Sequence, residues 1–356
     1  MTVTDLGIHF IIGLSGPALA RDEAQILEVL RPAGIIIFSK NLTQRDWATN
    51  LKNLISEVKV LTKRQNLLVS IDHEGGKVHR LPEPATRFPE AWYWDNDTVS
   101  VSLAMAKELS ALGINLSFAP VLDIHSEPTN PVIAKRAFSD VPQTVARQGL
   151  QMLEALEVNG ILACGKHFPG HGGTISDSHL ELPVVTASEE MLRTRELVPF
   201  KAAIQAGVKM LMSAHVCYPA FDANCPATLS RKILNDLLRK ELGYKHVVIS
   251  DAIEMKALDD ISREDVARQF LLAGGDMILI GQSDEQSPAV IALNIATKLI
   301  ELSARETDLA GALKISGTRI NELFKLIPKT KHCDLGELGC KAHLELAAAI
   351  NKRQLA

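Results

Sequence analysis

Several protein classes are excluded by what the 356-residue chain lacks. Its five cysteines are an odd number without a CxxC pair, which favours reduced thiols over a disulfide framework or a zinc knuckle. No apolar run reaches the roughly 18 residues that span a membrane. Residues 1–16 have no basic stretch before their short apolar run, so they do not resemble a signal peptide. We therefore expect a cytoplasmic protein without a membrane partner.

An excess of charge of one sign is also missing. The 38 basic and 42 acidic residues give a formal net charge of −4, and no long block of either sign occurs. A nucleic-acid-binding protein would normally carry a basic field, so the sequence argues against a nucleic-acid partner. Apolar residues make up 46% and charged residues 22%, which is typical of a globular protein with a large core.

Short β-branched runs alternate with longer helical patterns along the chain. The predicted strands are His9–Leu14, Gly34–Phe38, Leu67–Ile71, Asn115–Ala119, Ile161–Cys164, Met210–Ala214, His246–Ser250 and Met277–Ile280. The predicted helices include Arg21–Leu30, Asp46–Lys63, Ser100–Leu112, Pro142–Val158, Glu189–Ala206, Ser230–Leu242 and Arg263–Ala273. Eight strands is the number that closes a (β/α)8 TIM-type barrel, so we favour the barrel over an open doubly wound sheet.

We expect residues 1–328 to form the barrel as a single catalytic domain. From about Arg305 the pattern is helical, interrupted by Pro328 and a polar stretch. We expect residues 329–356 to form a C-terminal helical extension or tail, with a helix over Leu338–Leu355.

Ionisable residues stand at or just beyond the carboxyl ends of five predicted strands. They are Asp72, Asp123, Lys166, His215 and Asp251. In a barrel these ends converge on one mouth, where active sites lie, whereas in an open sheet they would spread along a rim. The pattern therefore favours an enzyme with its site at this mouth.

The richest segment runs from Lys166 to Gly173 and is followed by Asp177 and His179. Its proline and glycines argue against a regular helix, which predicts a flexible loop. In an extended backbone Asp177 and His179 share one face, and a carboxylate raises the pKa of a neighbouring imidazole. The pair is therefore a candidate for proton transfer near neutral pH.

A metal site is the competing interpretation of the histidines. The possible ligands are His167, His171, Asp177, His179 and His215. Pro169 and Gly170 keep the first two from sharing a helical face, so the local pair is not a metal-binding clip on one helix. We expect no metal and no cofactor.

Five motifs carry a family resemblance over about residues 8–325. They are DHEGGKVHRL at Asp72–Leu81, FAPVLDI at Phe118–Ile124, KHFPGHG at Lys166–Gly172, DSH at Asp177–His179 and ISDAIEM at Ile249–Met255. Together they resemble glycoside hydrolase family 3, in particular its single-domain bacterial β-N-acetylhexosaminidases of cell-wall recycling.

The resemblance implies a retaining double displacement. Asp251 matches the nucleophile, His179 matches the acid/base, and Asp177 matches its partner. The sugar-binding positions carry over as Asp72, Arg80, Arg136, Lys166 and His167. The implied substrate is a muropeptide in which terminal β-linked N-acetylglucosamine (GlcNAc) is joined to anhydro-N-acetylmuramic acid, and we expect a monomer that needs no cofactor.

Two residues depart from the family pattern, and three other functions remain open. Lys77 stands where arginine is usual, and Ala252 follows the nucleophile where a second acid is common. The same site could serve a GlcNAc phosphorylase, because a neutral imidazole would not repel phosphate as a carboxylate does. The remaining alternatives are a metal-dependent barrel hydrolase and an inactive sugar-binding barrel.

Overall fold

The computed structural model describes residues 1–43, 45–175, 182–283, 286–327 and 333–355. Its centre is a closed barrel of eight parallel strands that pair in sequence order, with β1 beside β8. The strands are β1 (Phe10–Gly13), β2 (Gly34–Ile37), β3 (Leu68–Ile71), β4 (Leu116–Ser117), β5 (Leu162–Phe168), β6 (Met210–Ser213), β7 (Val247–Ala252) and β8 (Met277–Ile280). The predicted barrel is confirmed, and the open sheet is excluded.

Helices surround the barrel. They are α1 (Val3–Leu6), α2 (Arg21–Leu30), α3 (Trp47–Thr62), α4 (Thr98–Ala111), α5 (Pro142–Glu157), α6 (Glu189–Met191), α7 (Leu197–Gln205), α8 (Arg263–Ala273), α9 (Pro288–Ser303), α10 (Thr307–Leu326) and α11 (Lys341–Leu355). π-Helical turns occupy Leu192–Glu196 and Lys232–Glu241, within the predicted helices over 189–206 and 230–242. No helix among the described residues is both long and apolar enough to cross a membrane.

Alternation along the strands divides the core into two layers. In β2, Ile36 packs inside the barrel, whereas Ile35 and Ile37 pack in the outer layer, because successive side chains point to opposite faces of a sheet. Ile320 and Leu323 of α10 join the inner cluster. The strands are therefore apolar on both faces, and polar side chains collect where the strands end.

Strand β5 is longer than the sequence predicts. The loop interpretation was wrong for Lys166, His167 and Phe168, which all belong to β5. Pro169 and Gly170 stop the strand, but Phe168 still pairs with Ser213 of β6, and its carbonyl accepts a hydrogen bond from the Ala214 N–H at 2.8 Å. Lys166 pairs with Val121 on the other side, and the register with β6 shifts between Gly165 and Phe168. The extension holds Lys166 and His167 on a rigid strand instead of a loop.

The C-terminal helix α11 packs on the barrel domain. Ile350 is fully buried and Ala347 nearly so, in contact with the outer core layer. The ring of His343 lies 2.9 Å from the carboxylate of Glu108 in α4. Residues 333–355 are therefore a docked segment.

Candidate active site

The carboxyl ends of the strands surround a cavity of about 450 Å³. Its polar wall includes Asp72, Arg80, Asp251 and Glu254, which come from the ends of β3 and β7 and the loops that follow. Its apolar wall is formed by Ile36, Phe38, Met212 and Leu279. An apolar pocket with a few convergent polar groups, of roughly 300–1,000 Å³, is typical of a small-molecule site.

Lys166 joins two carboxylates beside this cavity. Its Nζ lies 2.6 Å from Oδ1 of Asp72 and 2.6 Å from Oε1 of Glu74. The guanidinium of Arg136 donates to both oxygens of Glu74, at 2.8 and 2.9 Å. Burial favours the neutral form of Glu74, but the two cations outweigh burial and hold its pKa far below the usual range. The four side chains therefore form one connected salt-bridge network.

A second carboxylate positions the neighbouring histidines. Asp123 is fully buried, and its Oδ2 lies 2.7 Å from Nδ1 of His167. Its Oδ1 accepts the backbone N–H groups of His167 and His171. Burial raises the pKa of Asp123, but these hydrogen-bonding partners lower it by more than burial raises it. The net pKa is below the usual value, so the carboxyl stays ionised. Asp123 thus fixes the orientation of His167, with Nδ1 as the hydrogen-bonded nitrogen.

The first residues of the loop after β5 are held in place by several contacts. A Cβ on Gly172 would lie 1.5 Å from the carbonyl oxygen of Ile124, so only glycine fits. Asn130 donates to the carbonyls of His171 and Gly172 and to the hydroxyl of Thr174. The contacts fix the loop up to Thr174. Asp177 and His179 lie outside the described residues.

Asp251 faces the cavity from the end of β7. The side chain is partly exposed, and Oδ1 accepts the Ala252 N–H at 2.8 Å. Burial raises its pKa, but the nearby imidazoles of His167 and His215 and this hydrogen bond lower it more. Asp251 is therefore a carboxylate, ionised at neutral pH, at the wall of a sugar-sized cavity.

Glu254 is a second acid on the same wall, with the opposite tendency. Its Oε1 accepts the N–H groups of Gly281 and Gln282, each at 2.6 Å. Burial is the dominant influence and raises the pKa of Glu254 to about 7, and the charge of Asp251 adds to the increase. At neutral pH Glu254 is therefore about half protonated, whereas Asp251 is ionised.

We expect Glu254→Gln to remove part of the pH dependence of folding. A folded-state pKa near 7, above the ordinary 4.5, means that the folded state holds the proton more tightly. Stability should therefore fall as pH rises from about 4.5 to 7, by up to about 3 kcal/mol. Urea unfolding of both proteins at pH 4.5, 6 and 8 measures this. A constant difference across the three pH values would contradict the raised pKa.

The structure shows where the other predicted residues lie. Asp72, Arg80 and Asp251 line the cavity, whereas Arg136 and His167 are tied to Glu74 and Asp123. Nε of Arg80 is buried and has no hydrogen-bond partner among the described residues. His215 contacts Thr228 and lies 3.1 Å from the Ala252 carbonyl oxygen.

Sequence reasoning missed Glu74, Asn130 and Glu254. Glu74 had a usable signal, because it stands two residues after Asp72 and could share its face in extended backbone. Asn130 and Glu254 lie in loops without such periodicity. Within the described ranges, one trio brings three potential metal ligands together, Glu337, Cys340 and His343, and it lies outside this cavity.

Comparison with known proteins places this geometry among the glycosidases. The model of the glycosyl hydrolase family 3 N-terminal domain matches residues 5–310. A β-hexosaminidase of Chromobacterium violaceum is 35% identical over 316 residues, covering 85% of this chain and 86% of the relative.

Two solved structures share the fold. A fungal multi-domain family 3 β-N-acetylglucosaminidase superposes with a TM-score of 0.89 at 28% identity, covering 99% of this chain but 43% of that longer one. NagZ from Neisseria gonorrhoeae, in complex with N-trifluoroacetyl-D-glucosamine, gives a TM-score of 0.75 at 30% identity and covers 97% of both chains. The similarity therefore extends over nearly the whole chain.

Proposed function

Since the chain belongs to glycosyl hydrolase family 3 and is a glycoside hydrolase of the β-N-acetylhexosaminidase type, we propose that it releases terminal β-linked GlcNAc from peptidoglycan-derived muropeptides. The natural substrate in this proposal is GlcNAc joined to anhydro-N-acetylmuramic acid. The observation that carries it is the ionised Asp251 in the wall of a cavity that also exposes Asp72 and Arg80. The glucosamine derivative bound by the gonococcal relative supports the choice of sugar.

The proposed reaction is a double displacement. Asp251 attacks the anomeric carbon and forms a glycosyl-enzyme, while the glycosidic bond breaks and the leaving oxygen takes a proton from His179. The imidazole then removes a proton from water, which attacks the same carbon and releases Asp251. Two inversions retain the β configuration. Asp177 is proposed to orient the imidazole of His179 and to raise its pKa.

Sugar binding is assigned to the network beside Asp251. Asp72 and Lys166 present an acceptor and a donor 2.6 Å apart, which suits a pair of neighbouring hydroxyl groups. The buried Nε–H of Arg80 offers a further donor. We assign His167 to the same sugar. Arg136 acts through Glu74, with which it makes two hydrogen bonds, and so positions Lys166.

Release of nitrophenol from β-GlcNAc and β-glucose conjugates tests the substrate class. We expect hydrolysis of the GlcNAc conjugate, little of the glucose conjugate, and no effect of EDTA. Loss of activity with EDTA would favour the metal-dependent hydrolase, and inactivity on both sugars would favour the binding barrel. A sugar 1-phosphate product in phosphate buffer would instead identify a phosphorylase. Purified GlcNAc–anhydro-N-acetylmuramic acid then tests the natural substrate.

His179→Ala should slow the hydrolysis of substrates with poor leaving groups most. A nitrophenolate leaves without a proton, whereas the hydroxyl of an anhydro-N-acetylmuramic acid residue needs one. We therefore expect about a hundredfold loss of kcat/KM on the disaccharide and a smaller loss on the nitrophenyl substrate. Equal losses on both would contradict the acid role of His179. His246→Ala, at a part-buried histidine before β7, is the matched control.

Compartment and assembly complete the proposal. All five cysteines are free thiols, as expected in the reducing cytoplasm. We propose a cytoplasmic monomer, which cell fractionation and light scattering of the purified protein test.

A further inference from the structure

Three side chains of different ligand chemistry meet where the C-terminal segment docks on the barrel domain. They are the carboxylate of Glu337, the thiol of Cys340 and the imidazole of His343, and one ligand atom from each lies within 4.8 Å of the other two. Glu337 and Cys340 are partly exposed, whereas His343 is only 6% exposed. The group thus has a buried side and a side open to solvent.

The imidazole of His343 is held in the orientation that a metal ligand requires. Its Nδ1 lies 2.9 Å from Oε1 of the buried Glu108. Its Nε2 points to the other side, 3.9 Å from Oε2 of Glu337. A histidine that binds zinc through one nitrogen usually donates its other N–H to a carboxylate or carbonyl, which fixes the tautomer. Glu108 supplies that carboxylate here.

The supporting carboxylate is itself fixed from three directions. Glu108 accepts the backbone N–H and the hydroxyl of Thr86, at 3.0 and 2.6 Å, and the backbone N–H of Gly339 at 3.2 Å. A rigid second layer of this kind is what holds metal ligands in place. The ligand trio therefore sits on a prepared support.

We propose that Glu337, Cys340 and His343 form a zinc site that orders the turn before α11, which docks on the barrel through the contact of His343 with Glu108. Thiolate, imidazole and carboxylate together are a zinc ligand set, with bonds of about 2.0–2.3 Å in a tetrahedron. Two ligands of such an ion lie roughly 3.3–3.6 Å apart, so a small rotation of the partly exposed Glu337 and Cys340 side chains closes the site. Water supplies the fourth ligand.

The zinc site would have a structural role, because its ligands lie outside the sugar cavity. Gly339 adopts a left-handed backbone (φ +59°), and a Cβ there would lie 1.9 Å from the Pro84 carbonyl oxygen. The segment therefore presses directly on the Leu81–Thr86 chain, which follows Arg80 of the cavity wall. Zinc would order the turn that carries Gly339 and makes this contact, and the inference does not depend on the proposed sugar substrate.

The experiment loads the untagged full-length chain with zinc or cobalt alone. We expect one zinc per chain after gel filtration, a thiolate-to-cobalt charge-transfer band, and a rise in Tm with zinc. Cys340→Ser and Glu337→Gln should each weaken zinc binding at least about tenfold. The cobalt band should disappear in Cys340→Ser. Because both side chains are partly exposed, neither variant should prevent folding.

Cys217→Ser is the matched control, since Cys217 is also partly exposed but lies after β6. It should retain the cobalt band and the zinc affinity of the wild type. Absence of bound zinc in the wild type, or unchanged binding in Cys340→Ser, would overturn the proposal and leave His343–Glu108 as a simple hydrogen-bonded pair. Zinc content and Tm are measured without substrate, so the outcome is separable from the glycosidase assays.

Discussion

Asp251→Ala should lower kcat on a nitrophenyl β-GlcNAc substrate by about three orders of magnitude or more, equivalent to about 4 kcal/mol of transition-state stabilisation. The carboxylate is the only proposed group that forms a bond to the anomeric carbon, so no neighbour can replace it. Its side chain accepts a hydrogen bond from the adjacent Ala252 N–H, which belongs to its own strand. The variant should therefore fold with a Tm close to that of the wild type.

Azide distinguishes a lost nucleophile from a damaged site. With Asp251→Ala, azide can enter the space of the carboxylate and attack the sugar directly, and a single displacement inverts the anomeric carbon. We expect partial recovery of nitrophenol release and an α-glycosyl azide as product. Asp259→Ala, at an exposed aspartate beyond the same strand, is the control and should keep full activity. A β-configured azide product would contradict the assignment.

Glu74→Gln should lower the free energy of unfolding by about 4 kcal/mol, because breaking a buried ion pair from one side leaves uncompensated charge. Glu74 is 3% exposed and is bonded to both Lys166 and Arg136. In the variant Lys166 would keep its salt bridge to Asp72. The guanidinium of Arg136 would lose both of its contacts to the Glu74 carboxylate. Urea unfolding measures the change, and KM should rise because Lys166 is no longer held from two sides.

Glu189→Gln is a matched control for the loss of one carboxylate charge. Glu189 pairs with Arg193 across one helical turn, at 2.7 Å; the side chain of Glu189 is exposed and that of Arg193 is partly exposed. Such surface pairs are worth about 0.3–0.5 kcal/mol. An equal loss in the free energy of unfolding in the two variants would show that the Glu74 network stabilises the fold no more than a surface ion pair does.

The fold was predictable because the hydrophobic pattern of the sequence is periodic. Eight apolar runs alternate with helical patterns, and each predicted strand overlaps an observed one. The error in β5 has a local cause: Pro169 and Gly170 mark the end of the strand, but they carry no information on how many preceding residues still pair with β6. The length of β5 is decided by its pairing with β6, which lies far away in the sequence.

The site was predictable only in part. Asp72, Lys166 and Asp251 stand at strand ends, where topology brings side chains together whatever the loops do. Asn130 and Glu254 act from irregular segments, and their roles depend on which backbone groups happen to lie nearby. Asp123 was visible as an ionisable residue at a strand end, but no sequence pattern indicates that it hydrogen-bonds the ring of His167 and the backbone N–H of His171.

The pairing of β1 with β8 has a consequence for biosynthesis. Phe10 lies opposite Ile278, so the first strand of the barrel meets its final neighbour only after the other seven strands have been translated. Until then a nascent partial barrel has two open edges, each able to pair with another chain. Folding that depends on such distant contacts is slow and exposes the chain to aggregation. We therefore expect nascent chains that end before Met277 to require chaperones, and that need to disappear once β8 has closed the ring.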